Sequence, residues 1–315
     1  MKIHINREYA ALFTLAALLL FLAFRAPAFY SWDNLRDLAL SNLSVLLVST
    51  GMTLVIVVGQ IDISVGSLFA ICIVSCGICA RAGVPAWLLP LGGILVGTAL
   101  GAVNGALVSF VNAPSIVVTL ATMVAWRESL NWATGGAWIE GLPSSFQWFG
   151  LGQTGGEAVL FSACAAIFAA LWWASRHVAA FRAIYATGSD AEAARLAGIN
   201  TKRIVFSVFA FIGALTGLAA ALNAVRFSDV PANAGVGLEL EAIAAVVVGG
   251  TPITGGRGRL MGTLIGVALL GSIAPALTYL QLSSYWSKAI GGAIILVTVL
   301  FDALGARSEM RLATS

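Results

Sequence analysis

The residues of this chain that could do chemistry are few, and most of them are polar groups set in apolar surroundings. "VVGQIDISVG" (57–66) places Gln60, Asp62 and Ser64 inside one of the most hydrophobic regions. An ionised Asp at a bilayer centre costs about 2.5–3.5 kcal/mol, so Asp62 needs a partner or a shallow depth. One reading has Asp62 or Ser64 capping the helix that follows, where the helix dipole favours negative charge. The other has the stretch as a broken helix lining a solute path. Asn104, Thr119, Asn223 and Glu241 are further polar residues within or at the ends of apolar runs. Each either faces a pathway or bonds to a neighbouring helix.

Enzymatic signatures are missing from the sequence. "TGGRGRL" (254–260) has the glycines of a phosphate loop but neither its lysine nor a following hydroxyl residue, and GxSxG does not occur. His4 and His177 are far apart. Cys76-Gly-Ile-Cys79 has CxxC spacing but lies, like Cys72 and Cys164, in apolar sequence, where thiols fill space. We therefore expect no catalytic residue, no metal and no cofactor in this chain.

The segment "ATGSDAEAARLAGINTKR" (186–203) is a different kind of candidate. Ser189 and Glu192 have capping-box spacing, so a helix is expected to start at Ser189. Gly198 is placed to end it, and Asn200 or Thr201 to cap the next helix. Between them lie Asp190, Glu192, Ala194 and Arg195 on a short alanine-rich helix. Such a helix is either an ordinary connection or a plug for a cleft on another protein.

The elements that must hold these residues belong to a membrane protein. Of 315 residues, 59% are hydrophobic and 10% charged, against roughly 25% charged in soluble domains. Mean hydropathy is +0.95. A net charge of +3, with no dense basic block, gives no nucleic-acid footprint. We read an all-α, polytopic protein of about ten spans, near 9–25, 40–58, 64–80, 86–108, 114–132, 157–175, 203–225, 240–253, 260–280 and 285–303. The first span is a retained signal anchor and the eighth is short enough to be re-entrant. With both termini cytoplasmic, that side receives Lys2, Arg7, Arg176, Arg182, Arg195, Lys202, Arg203, Arg257, Arg259, Arg307 and Arg311, most of the 17 basic residues. The chain is then one permease-like domain over 1–315, with a main cytoplasmic loop at 176–204 and an outer, Trp-rich segment at 133–157.

Gly93, Gly97, Gly101 and Gly105 recur every four residues, a groove for close helix packing; Gly213 with Gly217 and Gly262 with Gly266 repeat it. Trp126, Trp132, Trp138 and Trp148 cluster with Phe146 and Phe149 as an interfacial belt or a docking surface. "VVGQIDISVG" also aligns without gaps to "VVGGTPITGG" (247–256), as an internal repeat would.

Four stretches carry a family resemblance: "GQIDISVGSLFA" (59–70), "GAVNGALVSFVNAPSIVVTLATM" (101–123), "AIYATGSDAEAARLAGIN" (183–200) and "EAIAAVVVGGTPITGGRGRLMGTLIG" (241–266). The chain resembles the permease subunits of bacterial ATP-binding-cassette importers for monosaccharides, the ribose, xylose, arabinose, rhamnose and autoinducer-2 family. The resemblance implies an inner-membrane transport subunit pairing with itself or a second permease. Two ATPase subunits or one tandem ATPase, and a periplasmic sugar-binding protein, would complete it. It makes Gly188, Asp190, Glu192, Ala194, Arg195 and Gly198 the ATPase-coupling helix. The outer tryptophans and "DVPANAGVGLELEAIAAVVVGG" lean toward rhamnose or an autoinducer-2-like sugar derivative. Gln60, where relatives commonly have glycine, and Pro252 and Thr254 depart from the pattern and bear on local backbone or specificity. An ion-gradient-driven secondary transporter of a small polar solute, with Asp62 or Glu241 as its ion site, is the alternative from another class. A membrane scaffold without solute flux is a third.

Overall fold

In lipid every backbone amide must be satisfied within the protein, which leaves helix as the local solution for runs this apolar. The computed structural model describes residues 7–294 and 296, and no strand occurs among them. In chain order the helices are α1 (Arg7–Arg25), α2 (Trp32–Val57), α3 (Val65–Arg81), α4 (Leu89–Ser109), α5 (Ser115–Thr134) and α6 (Gly152–His177). They continue with α7 (Ala179–Ser189), α8 (Ala191–Leu196), α9 (Thr201–Ala224), α10 (Leu238–Val248) and α11 (Leu260–Tyr279). A further helical run begins at residue 286. The expected last span lies partly, and Lys2, His4, Arg307 and Arg311 wholly, outside the described residues.

Five helical stretches among the described residues are long and apolar enough to cross a membrane: Trp32–Val57, Ala86–Ser109, Gly152–His177, Thr201–Ala224 and Leu260–Tyr279. Tyr9–Arg25 and Val65–Arg81 are shorter apolar helices. The eighth apolar run forms only the 11 residues of α10. At 1.5 Å per residue that is about 16 Å, half of a roughly 30 Å hydrocarbon core. The chain entering α10 is non-helical from 225 to 237, and Ile139 and Val230 make a single antiparallel bridge there.

Lipid tails are as apolar as leucine, so the bundle coheres through close packing rather than water exclusion. The second half of α2 is buried on all sides from Leu47 to Val57, which marks it as the central helix. α4 and α9 form the tightest pair. A side chain on Gly93, Gly97, Gly101 or Gly105 would run into the carbonyls of Gly217, Gly213, Phe209 or Phe206, and Gly213 and Gly217 return the contact. The opposite face of α4 exposes Leu91, Leu95 and Val103. A glycine row inward and branched apolar side chains outward is how a lipid-bathed helix docks against a neighbour. α10 and α11 repeat this on a smaller scale, with Gly249 and Gly266 flush against the carbonyls of Gly262 and Ala245.

Candidate functional site at two helix breaks

α2 and α10 stop in the same way. After Val57 the amides of Val58, Gly59 and Gln60 donate to the carbonyls of Leu54, Ile56 and Val55; after Val248 those of Gly249, Gly250 and Thr251 donate to Ala245, Val247 and Val246. The register is identical, and Gly59 (φ +82°) and Gly250 (φ +96°) take the left-handed conformation this helix end requires. The two aligned sequence segments thus share local structure. They also meet: the amide of Gly256 donates to the carbonyl of Val57 at 2.8 Å, and a side chain on Gly255 would come within 2.9 Å of the Gly59 backbone.

Beyond the first break, residues 60–63 are non-helical and thread between α3, α4 and α5. Asp62 is fully buried. Its Oδ1 accepts from the Ser64 amide at 2.9 Å and from Ser64 Oγ at 2.6 Å, and Asn104 Nδ2 donates to the same Ser64 Oγ at 2.8 Å. The bonded amide lies one residue before α3, whose cap position Ser64 is already helical and makes no side-chain cap bond, so Asp62 braces the approach to α3 from the end where the helix dipole favours negative charge. Thr119 Oγ1 bonds the Ser115 carbonyl at 2.8 Å and reaches the Ile61 carbonyl at 3.5 Å, while the Ile61 amide donates to Ser115 Oγ at 3.3 Å. Gln60 is half-buried at the mouth of this segment.

The coupling-helix candidate is α8, and its start corrects the capping-box expectation. Ser189 is the last residue of α7, and its hydroxyl donates to the carbonyl of Gly256 at 3.2 Å. Asp190, extended at φ −159° and ψ 103°, is the cap instead, its Oδ1 accepting from the amides of Glu192 at 2.9 Å and Ala193 at 3.0 Å. Both residues are good caps by type, but a preceding helix running up to Ser189 leaves only Asp190 with the extended backbone a cap requires. Ala194 is buried, Gly198 (φ +86°) closes the turn, and Asn200 caps α9 through the Arg203 amide at 3.1 Å. Glu192 and Arg195 are exposed and 3.9 Å apart, and Leu196 is 82% exposed. Tyr185 Oη on α7 donates to the Gly258 carbonyl at 2.8 Å, and burial raises the phenol above its ordinary pKa, which keeps it a donor. Gly188 lies directly on the Val57 carbonyl.

Glu241 lies elsewhere, in a cleft of about 730 Å³ between α2, α10, α11 and the run from residue 286. Asp37, Asn42, Glu241 and Lys288 share it with aliphatic groups such as Val45, Val267 and Leu270. Most of the lining surface is apolar, so these groups are polar points in a mainly aliphatic cleft.

Against known proteins, residues 34–299 match the model of the branched-chain amino acid transport system / permease component family. The ribose import permease protein RbsC of Escherichia coli K12 is 34% identical over 299 residues, 94% of this chain and 93% of that protein. The autoinducer 2 import system permease protein LsrC of Yersinia pseudotuberculosis (serotype O:1b) is 33% identical over 303 residues, covering 94% and 85%. This chain belongs to the sugar-permease family of ATP-binding-cassette importers. No solved structure matches it.

For a permease of this family, the structure gathers Gln60, Asp62, Ser64, Asn104 and Thr119 at one break, but not Asn223 or Glu241. Asn223 Nδ2 bonds Ser44 Oγ at 3.3 Å, tying α9 to α2. Cys72 and Cys76 point their thiols at the carbonyls of Gly93 and Leu89 along the α3–α4 seam, while Cys79 is exposed. Trp132 and Trp138 are exposed, and Phe146 is buried.

Sequence reasoning missed Arg127. From the middle of α5 its guanidinium donates to the Ala234 carbonyl at 2.9 Å and the Gly66 carbonyl at 3.1 Å, clasping the start of α3 to the non-helical entry to α10. An arginine at the end of an apolar run, with Glu128 beside it, was the available signal. Its acceptors, being backbone, left no mark in the sequence.

Proposed function

We propose that this chain is the membrane half of a monosaccharide importer, a single domain over 1–315 crossing a bacterial inner membrane about ten times with both ends cytoplasmic. The loop 176–204 then faces the cytoplasm and the Trp-rich 133–157 faces outward. Two copies, or this chain and a similar one, enclose the pathway. Two ATPase subunits, or one tandem ATPase, seat on Asp190, Glu192, Ala194, Arg195 and Gly198, and a periplasmic binding protein delivers the sugar. No covalent chemistry and no cofactor in this chain are involved.

The observation that carries this reading is α8. Six residues cannot hold a helix in isolation, yet α8 is capped at Asp190, closed at Gly198, and presents Glu192, Arg195 and Leu196 to the exterior. Two opposite charges ahead of an exposed leucine suit a groove on another protein. The names of the similar permeases support ribose-like or autoinducer-2-like cargo, and a cleft lined by Asp37, Asn42, Glu241 and Lys288 offers hydrogen bonds to a polyol. The test is reconstitution with the ATPase and binding protein. Glu192→Lys or Arg195→Glu should abolish sugar-stimulated ATP hydrolysis while the permease itself still folds. Stimulation at the unsubstituted level would overturn the assignment.

A further inference from the structure

We infer that the Val57 carbonyl, held between Gly188 and Gly256, is the joint through which movement of α8 reaches both helix breaks, and that Gly188, Gly256 and Tyr185 are positioning residues for coupling. The inference rests on the transport reading above and deepens it.

Three backbone segments meet at this point: the last turn of α7, the end of α2, and the turn after α10. The α2 terminus uses the carbonyls of Leu54, Val55 and Ile56 to close itself, and the Gly256 amide supplies a partner to Val57 at 2.8 Å. Val57 is fully buried, so loss of this bond would leave its carbonyl unpaired away from water. A side chain on Gly188 would overlap the Val57 carbonyl and lie 3.0 Å from the Gly256 amide. Glycine inside a helix is otherwise a weak choice, and Gly188 has a reason that Gly92, with open space around it, lacks.

Two further bonds bind α7 to the same turn, Ser189 Oγ to the Gly256 carbonyl at 3.2 Å and Tyr185 Oη to the Gly258 carbonyl at 2.8 Å. α8 follows α7 after the single extended residue Asp190. A close-packed interior has low compressibility and transmits strain, and here the packed atoms are backbone with no side chain between the segments. A shift of α8 passes to α7 through Asp190, whose amide donates to the Ala186 carbonyl and whose carbonyl accepts from the Ala194 amide, and the joint conveys it to Val57 and, through Gly255 beside Gly59, to the segment holding Asp62.

The test uses Gln60→Cys as reporter in the full chain, with the exposed Cys79 replaced by serine, reconstituted in nanodiscs with the ATPase. The rate of labelling by a water-soluble maleimide is read with and without a non-hydrolysable ATP analogue. With the joint intact the analogue should change the rate by at least about fivefold, the lower end of ordinary coupling between sites. Gly188→Ala forces the Val57 carbonyl away from α7, and the complex that assembles should bind the analogue yet lose most of that change. A merely structural role would lower the yield of complex and leave the rate ratio in the surviving complex untouched. Tyr185→Phe, which removes one oxygen and no packing volume, decides the matter if Gly188→Ala does not assemble: a reduced ratio supports the joint and an unchanged ratio overturns it. A full response in assembled Gly188→Ala also overturns the joint while leaving the transport reading standing. No ATPase binding or no response in the reporter complex with Gly188 and Tyr185 intact overturns that reading, and the joint with it.

Discussion

Glycine does opposite work at two close backbone contacts in this molecule. Along α4 and α9, Gly93, Gly97 and Gly101 bring together two continuous helices whose amides are satisfied internally. Nothing at that seam depends on a bond between them, so it behaves as a fixed spine. At the Val57 joint, Gly188, Gly255 and Gly256 bring together a helix end, a helix terminus and a turn, and the bonds run between the segments. A seam of whole helices has one good arrangement. A joint of terminated helices has its pairing on the outside, where it can be exchanged.

That contrast is broken most severely by filling the spine. Gly97→Leu should leave almost no folded permease by size-exclusion profile in detergent, because neither backbone can retreat. Gly92→Leu, one helix face away in open space, should leave the profile unchanged. Next in size, Asp62→Ala removes the acceptor of two buried hydrogen bonds and should cost about 1–3 kcal/mol in a thermal or denaturant melt. Asp62→Asn keeps an oxygen for the Ser64 amide and should cost clearly less; equal losses would mean that charge, not hydrogen bonding, holds the start of α3. Smallest, Asp190→Ala should leave the melt nearly untouched and loosen only α8, by about 1 kcal/mol. Amide exchange at Glu192 and Ala193 checks this, and an unchanged exchange rate would contradict the cap.

Parts of this contrast are readable in the sequence. The four-residue glycine period on α4 announces the spine, since the period of a helix face is fixed by geometry. The matching of 57–66 with 247–256 shows in two lines of letters, and the structure gives it physical content in one shared hydrogen-bond register. The α8 segment is legible to within a residue; the error falls at Ser189 because two cap-type residues stand side by side and the end of α7 decides between them. What is not legible is long-range pairing to backbone. Arg127 finds the carbonyls of Gly66 and Ala234, and Gly188 is distinctive only because Val57 lies beneath it. A carbonyl has no identity in sequence, so such contacts appear only once the chain is folded.

ATP-driven sugar import is the activity proposed for this chain. Its most direct test is uptake of radiolabelled D-ribose and L-rhamnose into proteoliposomes holding the permease, its ATPase and its binding protein. One of these sugars should accumulate in a manner that requires ATP and survives an uncoupler. Uptake that proceeds without ATP and collapses with the uncoupler would contradict it and make the chain a gradient-driven transporter.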